Sequence, residues 1–462
     1  APHRSFYYAM GETEKDVAKP FIGVVSTWNE AAPCNIALMR QAQSVKKGVR
    51  SNGGTPREFC TITVTDGIAM GHEGMKSSLI SREVIADSAE LTVRGHCYDA
   101  LVGIAGCDKS LPGLMMSMVR LNVPSVFIYG GSILPGRYKG KDVTVVDVFE
   151  AVGKHSSGKM SAAELRKLEL VACPSAGACG GQFTANTMAC VSEAIGLALP
   201  YSAGTPAPYE ERDKYAKESG KMVMQLLKKQ IKPRDIVTRK ALENAATIVA
   251  ATGGSTNAGL HLPAIANEAG IKFDLMDVAK IFKRTPYLAD LKPGGKYVAK
   301  DMWLAGGVPM LLKTLYDGGY IHGDCMTVTG KTMKENLENV KFTDSTPAIL
   351  PLNSNTFDLT LEFEPGDTEQ VILNIPGTHI RYKTKEQMIE HREIPLKLID
   401  GKVKIRVLVD VCLYEIVGND GRVYISLPRD YKQKISEIKL EARGGTAKLN
   451  QLKVHELKSI WD

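Results

Sequence analysis

The sequence of 462 residues has no run of about 18 consecutive apolar residues, which is the length that a membrane-spanning helix requires. Basic residues form no long run either, and the formal net charge of +7 is spread along the chain. A charge distributed in this way predicts a solvated surface rather than a nucleic-acid-binding patch. We therefore expect neither a membrane nor a nucleic acid among the partners of this protein.

Closely spaced cysteine pairs are also absent, although the chain holds nine cysteines. Nine are too few for a disulfide scaffold of this length, so we expect buried thiols or metal ligands. The chain begins with Ala1-Pro2-His3-Arg4 and has neither an apolar signal region nor an initiator methionine, as if it had been trimmed. These features predict a cytoplasmic protein, or one in an organelle matrix after removal of a transit peptide.

What the first 150 residues do contain is one repeated arrangement. An apolar, β-branched run ends in a turn with polar or reactive residues, and a helical pattern follows. Such strands predict a parallel sheet flanked by helices, an α/β fold, with ligands bound at the carboxyl ends of the strands. We expect one shared site at the turns that follow four runs, namely Phe21–Thr27, Cys60–Thr65, Ala100–Gly106 and Ser125–Tyr129. Helical patterns then dominate, as in Gly180–Leu199, Tyr209–Lys229 and Arg234–Ala251.

The last part of the chain has a different pattern. Phe357–Phe363 alternates strictly between apolar and polar residues, and Asn419–Gly421 is a strong hairpin-turn signal. Further strands are predicted at Lys402–Asp410, Leu413–Val417 and Arg422–Leu427. We therefore predict a smaller all-β antiparallel sandwich over residues 356–462, a first domain over residues 1–342 and a linker at residues 343–355.

Three cysteines lie in turn-forming segments, Pro33–Asn35, Gly106–Ser110 and Gly177–Gly181. Three thiolates at Cys34, Cys107 and Cys179 can hold an iron–sulfur cluster and leave one iron position open as a Lewis acid. The alternative is that all three are buried structural thiols. Their wide separation in the sequence does not decide between these two interpretations.

Acidic residues next to two predicted strand ends indicate a second metal. Asp66 and Asp108 are either helix-capping and turn residues or oxygen ligands for Mg²⁺. The ammonium of Lys109 would repel a divalent ion, whereas a carbamylated lysine is anionic and offers oxygen. Otherwise Lys109 would clamp a substrate carboxylate or be a solvated surface charge.

Two further motifs allow both a chemical and a structural interpretation. His72 and Glu73 are either acid–base groups or the first turn of a helix, where the helix dipole favours glutamate. Gly253–Asn257 is either an anion site made of backbone N–H groups or a plain helix entry.

Six stretches match the pattern of one known family, namely Pro20–Val25, Trp28–Asn35, Thr65–Gly71, Gly106–Gly113, Ala176–Met188 and Gly253–Ala258. Through them, residues 1–342 closely resemble the dihydroxy-acid dehydratases of the dihydroxy-acid/phosphogluconate dehydratase family. The resemblance implies that Cys34, Cys107 and Cys179 hold an iron–sulfur cluster, [2Fe–2S] in preference to [4Fe–4S], and that Asp66, Asp108 and carbamylated Lys109 hold Mg²⁺. It also implies a homodimer that removes water from small 2,3-dihydroxy acids to give 2-keto acids in branched-chain amino-acid biosynthesis.

The last part of the chain matches a different family in five stretches, namely Phe357–Phe363, His379–Tyr382, Gly401–Asp410, Tyr414–Arg422 and Leu452–Lys458. Through them, residues 355–462 resemble the C-terminal β-sandwich of family 32 glycoside hydrolases. The serine base and glutamate ligand of the dehydratase family have no counterpart after residue 342, so the catalytic base stays unknown and we expect impaired activity. The alternative is a non-catalytic or chimeric protein that carries a carbohydrate-associated sandwich.

Overall fold

A computed structural model describes residues 1–338, 341–342, 348–351, 354–430, 432, 435 and 437–457 of the chain. The chain folds into two compact units. The first unit comprises Ala1–Trp303 and Gly307–Glu335, and the second comprises Leu304–Gly306 and Asn336–Asp462.

The first unit is built on a four-stranded parallel sheet in the order β2-β1-β3-β4. Every residue of its inner strand β3 is buried, as expected for a sheet covered on both faces. The α/β prediction is therefore confirmed. These strands and a small antiparallel pair, β5 and β6, are Phe21–Ser26, Thr55–Cys60, Ala100–Ala105, Ser125–Tyr129, Gly136–Tyr138 and Lys141–Val143.

Helices supply most of the remaining residues of this unit. Short 3₁₀ helices occur at Glu73–Met75 here and at His391–Glu393 in the second unit. Helices α1 to α17 are Pro2–Ala9, Glu14–Val17, Leu38–Arg50, Asp66–Ala69, Lys76–Gly95, Ser110–Leu121, Val145–Ser156, Ala162–Val171, Thr184–Ile195, Glu210–Lys229, Pro233–Ile236, Arg239–Ala251, Ala258–Glu268, Leu275–Arg284, Ala299–Leu304, Gly307–Asp317 and Met333–Leu337. None of the described helices is both long and apolar enough to span a bilayer.

The strand predicted at Cys60–Thr65 was misplaced. The ladder of β2 pairs Thr55–Cys60 with β1, and β1 itself ends at Ser26, so residues 61–65 have no strand to pair with. The helix predicted over Gly180–Leu199 is also shorter, because the Gly-rich start of that stretch forms a loop and α9 begins at Thr184.

The second unit consists of two six-stranded sheets, in the orders β13-β12-β11-β10-β17-β8 and β16-β15-β14-β9-β18-β7. The pairings described within them are antiparallel, as predicted. Strands β7 to β18 are Lys341–Phe342, Ala348–Pro351, Phe357–Glu364, Gln370–Ile375, Thr378–Lys383, Met388–Ile389, Ile394–Pro395, Val403–Val409, Leu413–Gly418, Val423–Pro428, Glu437–Arg443 and Ala447–Glu456.

Packing between the two sheets follows from the alternation in the sequence. Every second residue of β9 is buried, and the ring of Phe363 packs edge-to-face on Tyr382 of the other sheet, with centroids 5.8 Å apart. The predicted hairpin turn lies between β15 and β16, where Asn419 and Asp420 both have positive φ. Of the predicted linker, residues 343–347 and 352–353 lie outside the described residues, whereas Ala348–Pro351 forms β8.

Candidate functional site

A cavity of about 370 Å³ lies at the carboxyl edge of the parallel sheet. Segments that follow β1, β2 and β3 contribute to it, together with the loop before α9. The cavity therefore joins parts of the chain that are more than 100 residues apart in sequence. Its thiol and carboxylate groups belong to Cys34, Cys107, Cys173, Cys179, Asp66 and Asp108.

The first two predicted cysteines are brought together by a close backbone approach. Cys34 and Cys107 are only 6% and 4% exposed. Gly106 ends the β3 segment, and a Cβ at that position would overlap the carbonyl of Cys34. The Cys34 sulfur also lies 3.9 Å from the Thr65 hydroxyl, which precedes Asp66. Glycine at position 106 therefore allows the Cys34 and Cys107 segments to meet.

Main-chain hydrogen bonds hold the third cysteine segment against the sheet edge. The N–H of Gly177 donates to the carbonyl of Pro33 (2.8 Å), and that of Ala178 donates to Gly131 (2.9 Å). Gly177 has a φ of +132°, and a side chain there would also collide with the backbone of Ser132. This docking brings Cys179 to the same cavity as the other two cysteines.

A buried polar chain fixes the backbone on both sides of Cys179. The amide nitrogen of Asn186 donates to the carbonyls of Cys179 (2.5 Å) and Gly181 (2.6 Å). Its amide oxygen accepts a hydrogen bond from the Tyr129 hydroxyl (2.7 Å) at the end of β4. Asn186 is therefore a positioning residue that the sequence alone did not single out.

The environment of the Cys34 and Cys179 thiols favours the protonated form as long as no cation is present. The neighbouring Cys107 thiol, together with burial, raises the pKa of Cys34 well above its ordinary value. Burial and the nearby Asp108 charge likewise raise the pKa of Cys179. A bound cation would reverse this preference, since it stabilises thiolates.

The two carboxylates lie against a buried lysine. Asp66 accepts a hydrogen bond from Ser78 of α5 (2.6 Å) through one oxygen and pairs with the Lys109 ammonium through the other. Burial and the charge of Asp66 raise the pKa of Asp108 to about 6. Lys109 is only 4% exposed and contacts Asp66, which itself lines the cavity.

Hydroxyl and amide groups form a second polar side of the cavity. The Thr184 hydroxyl accepts a hydrogen bond from the Asn257 amide (2.7 Å) and lies 3.0 Å from the Ser255 hydroxyl. The Gly253–Asn257 motif therefore borders the cavity through Ser255 and Asn257. His72 and Glu73, by contrast, are exposed, and neither lines the cavity.

The rest of the wall is mainly apolar. Ile68 and Met70 contribute from the segment after Asp66, Ile133 from the turn after β4, and Val145 and Phe149 from α7. A ligand held by the polar groups would thus have its other end in contact with hydrocarbon. Such a mixed lining is typical of small-molecule sites.

No group of three His, Cys, Asp or Glu side chains suited to a single metal ion occurs among the described residues. The cavity does not require such a group. A [2Fe–2S] cluster would divide three thiols between its two iron atoms instead of gathering them around a single ion, and the predicted Mg²⁺ site has only two carboxylates until Lys109 is carbamylated.

Comparison with known families gives two separate matches. Residues 19–336 match the family described as dihydroxy-acid/6-phosphogluconate dehydratase N-terminal. Residues 325–456 match the one described as glycosyl hydrolases family 32 C terminal. The first match covers well over half of the chain, and the second covers most of the sandwich.

Curated relatives agree with the first match. The dihydroxy-acid dehydratase of Pelagibacter ubique is 92% identical over 342 residues, which are 74% of this chain and 60% of that protein. The Parvibaculum lavamentivorans enzyme is 76% identical over 87% of this chain and 71% of its own length. The Sulfurisphaera tokodaii enzyme is 51% identical over 83% and 69%. The chain thus spans about 60% of the length of its Pelagibacter relative.

Among solved structures, exo-inulinase from Aspergillus awamori aligns with 24% of this chain and 27% of its own. The TM-score is 0.22 and the sequence identity 16%, values too low to establish a relationship.

Proposed function

Because the chain belongs to the dihydroxy-acid/6-phosphogluconate dehydratase family through residues 19–336, we propose that it is a hydro-lyase acting on 2,3-dihydroxy carboxylic acids. The product would be a 2-keto acid of the branched-chain amino-acid pathway. The observation that carries the proposal is the convergence of Cys34, Cys107 and Cys179 with Asp66 and Asp108 on one cavity.

The donors present fit the two metal groups that the family implies. Three thiols from three separate segments offer soft ligands, and Asp66 and Asp108 offer hard oxygen. The pKa of Asp108 is raised because its carboxylate is buried and lies close to that of Asp66. A divalent cation between them would remove this repulsion. These features support an iron–sulfur cluster on the cysteines and Mg²⁺ on Asp66, Asp108 and carbamylated Lys109. The family pattern favours [2Fe–2S].

When bound, the cluster and the Mg²⁺ ion would supply Lewis acidity toward the substrate hydroxyl and carboxylate oxygens. The chain itself would orient the substrate. Asn257, Ser255 and Thr184 offer hydrogen bonds to its polar end, while Ile133, Val145 and Phe149 exclude water from its alkyl end. This division suits a short dihydroxy acid with a branched aliphatic tail.

A base must remove the proton from C2 of the substrate, and we assign this role to no residue of the chain. In the family that role belongs to a serine in a stretch with no counterpart between residues 355 and 462. General-base catalysis contributes about 10²–10⁴-fold. We therefore propose that the 462-residue chain turns over more slowly than its relatives by a factor of that size.

The decisive experiment is anaerobic purification followed by iron and sulfide counting, absorption spectroscopy and a keto-acid assay with 2,3-dihydroxyisovalerate. We expect bound iron and sulfide with weak dehydration. Protein without iron after reconstitution, with all three cysteines open to alkylation, would refute the cluster. Turnover at the rate of a full-length relative would refute the proposal that the catalytic base is missing. Sedimentation equilibrium tests the homodimer that we propose with it.

A second candidate function concerns the sandwich. The match of residues 325–456 to the glycosyl hydrolase family 32 C-terminal domain favours binding of fructose-containing sugars without hydrolysis. Calorimetric titration of the chain with sucrose and inulin tests it. Heat of binding that persists in a Cys34→Ser variant would support this function, and no heat with either sugar would exclude it.

A further inference from the structure

A buried histidine on α13 has no role in the site described so far. His261 belongs to α13, one helical turn after Asn257, whose side chain borders the cavity. Residues four apart lie on the same face of a helix, about 6 Å from each other. His261 is 0% exposed, so its imidazole lies inside the protein, one helical turn from a residue that lines the site.

One nitrogen of this imidazole has a partner and the other has none. The Arg82 guanidinium lies 3.2 Å from Nδ1. Arginine has only donors, so Nδ1 must accept and the ring proton must be on Nε2. Burial, followed by the charges of Arg82 and Lys109, lowers the pKa of His261 to about 3, so the ring is neutral. Its Nε2 has no hydrogen-bond partner among the described residues.

A chain of contacts connects this histidine with Lys109. Lys109 pairs with Asp66, and Asp66 accepts a hydrogen bond from Ser78. Ser78 lies one turn before Arg82 on α5, and Arg82 contacts His261. Helix α6, which begins directly after Lys109, also packs against α13, which carries His261. The buried N–H donor and the buried lysine therefore belong to segments that pack together.

That arrangement does not suit an ammonium, because Nε2–H cannot accept a proton from Nζ and a buried donor without an acceptor is costly. It does suit an anion built on Nζ. We propose that His261 is a positioning residue whose Nε2–H donates a hydrogen bond to the carbamate of Lys109 and so holds the third oxygen ligand of the Mg²⁺ site. This inference rests on the Mg²⁺ site of the proposed function.

The modification needs only CO₂. Lys109 first releases one proton to solvent, and its nitrogen lone pair then attacks the carbon of CO₂. The N–C bond forms, one C=O electron pair moves to oxygen, and a second N–H proton leaves to solvent. The lysine thereby changes from one positive to one negative charge, and its new oxygen atoms can accept from His261.

The test uses the full chain in ¹³C-bicarbonate with Mg²⁺ and measures the protein-bound carbamate by ¹³C NMR. We expect a carbamate signal that is absent from Lys109→Arg. His261→Leu should lower its occupancy about tenfold at equal CO₂, as expected for one lost hydrogen bond to an anion. His261→Gln keeps an N–H donor near the place of Nε2 and should restore most of the signal.

The control is His322→Leu. It removes an imidazole paired with Glu243 in the same unit, and His322 does not line the cavity, so the carbamate should be unchanged.

Wild-type occupancy in His261→Leu, or no carbamate in the wild type, would overturn the inference. If His261→Leu does not fold, ¹⁵N-histidine NMR of the wild type decides. The Nε2–H signal must move on addition of CO₂ and Mg²⁺, and must not move in Lys109→Arg. Iron content reports on the cluster separately, so failure here is distinguishable from failure of the proposed function.

Discussion

Four cysteines line one cavity, but at the residue scale they have different surroundings. Cys34 and Cys107 are buried, Cys179 is partly buried and hydrogen-bonded into a fixed loop, and Cys173 is exposed. The loop containing Cys179 is held by Asn186 through two carbonyls. Three of these thiols are therefore withdrawn from solvent at least in part, whereas that of Cys173 is exposed.

This difference makes a matched pair of variants informative. Cys179→Ser should lower the iron bound after anaerobic reconstitution to less than half of the wild-type amount, because a serine oxygen is a poor ligand for iron–sulfur clusters. Cys173→Ser alters the same cavity and should leave the iron content unchanged. Equal iron loss in both variants would contradict the three-cysteine assignment.

A second prediction concerns Glu193, which is only 4% exposed within α9. It accepts hydrogen bonds from the N–H groups of Tyr201 and Ala203, and burial raises its pKa to about 8. The nearby Arg212 donates instead to the carbonyls of Tyr129 and Thr205. Burial therefore affects the pKa of Glu193 more than these hydrogen bonds and Arg212 do, and the carboxyl group stays protonated in the folded protein at neutral pH.

A raised pKa means that the stabilisation is complete below the unfolded pKa near 4.5 and is lost as the pH rises through about 8. The free energy of unfolding of the wild type minus that of Glu193→Gln should fall across this window, by at most about 1.4 kcal/mol per pH unit. Guanidinium titrations at pH 5, 6, 7 and 8 measure it. A constant difference would mean that Glu193 is ionised when buried.

Sequence reasoning identified Cys34, Cys107 and the two aspartates because they follow apolar runs, and the ends of parallel strands meet at one edge. It identified Cys179 because that residue lies in a turn-forming segment of small residues. It did not identify His261, Asn186 or Glu193. Their roles depend on contacts with Arg82, Tyr129 and Tyr201, which lie far away or in another loop. A helical sequence pattern gives no sign of such partners.

At the scale of elements, the site depends on how closely the segment after β1 approaches the segment after β3. Gly106 allows this approach, since a Cβ there would meet the Cys34 carbonyl. Gly106→Ala should separate Cys34 from Cys107 and reduce bound iron severalfold, with a loss of stability of about 1–3 kcal/mol from overpacking. Iron counting and thermal unfolding measure both effects.

Gly153→Ala is the control for this change. Gly153 lies in α7 with open space around it, so alanine there should stabilise the helix by up to about 1 kcal/mol and leave the iron content unchanged. Full iron occupancy in Gly106→Ala would show that the cysteine segments do not need this close contact.

The strands of the sheet were predictable because continuous apolar runs are rare outside buried strands. The limits of β2 were not, as the misplaced strand at Cys60–Thr65 shows. Residues 61–65 are threonine, isoleucine and valine and have strand propensity, yet the ladder ends where its partner β1 ends. The end of a strand depends on a partner elsewhere in the chain, whereas the alternation of Phe357–Phe363 is local and was predicted correctly.

At the scale of the whole molecule, the change from helical periodicity to strict alternation predicted two kinds of architecture in one chain. The domain limits at residues 342 and 356 remain a proposal, since part of the segment between them lies outside the described residues. Sequence patterns report which residues are buried within each unit, but they contain no measure of how the stabilities of two units are coupled.

Each unit has its own buried core, and cores of this kind unfold cooperatively by themselves. We therefore expect two transitions in scanning calorimetry of the full chain. Leu101→Ala removes a fully buried side chain from β3 and should lower one transition by several degrees, because such a change costs about 2–5 kcal/mol. Phe363→Ala removes the ring that packs on Tyr382. It should lower the midpoint temperature of the other transition alone, at a cost in stability of about 3–5 kcal/mol. If both substitutions lower one common transition, the two units unfold as a single cooperative unit. The sandwich would then stabilise the unit that contains the cavity, which its sequence did not predict.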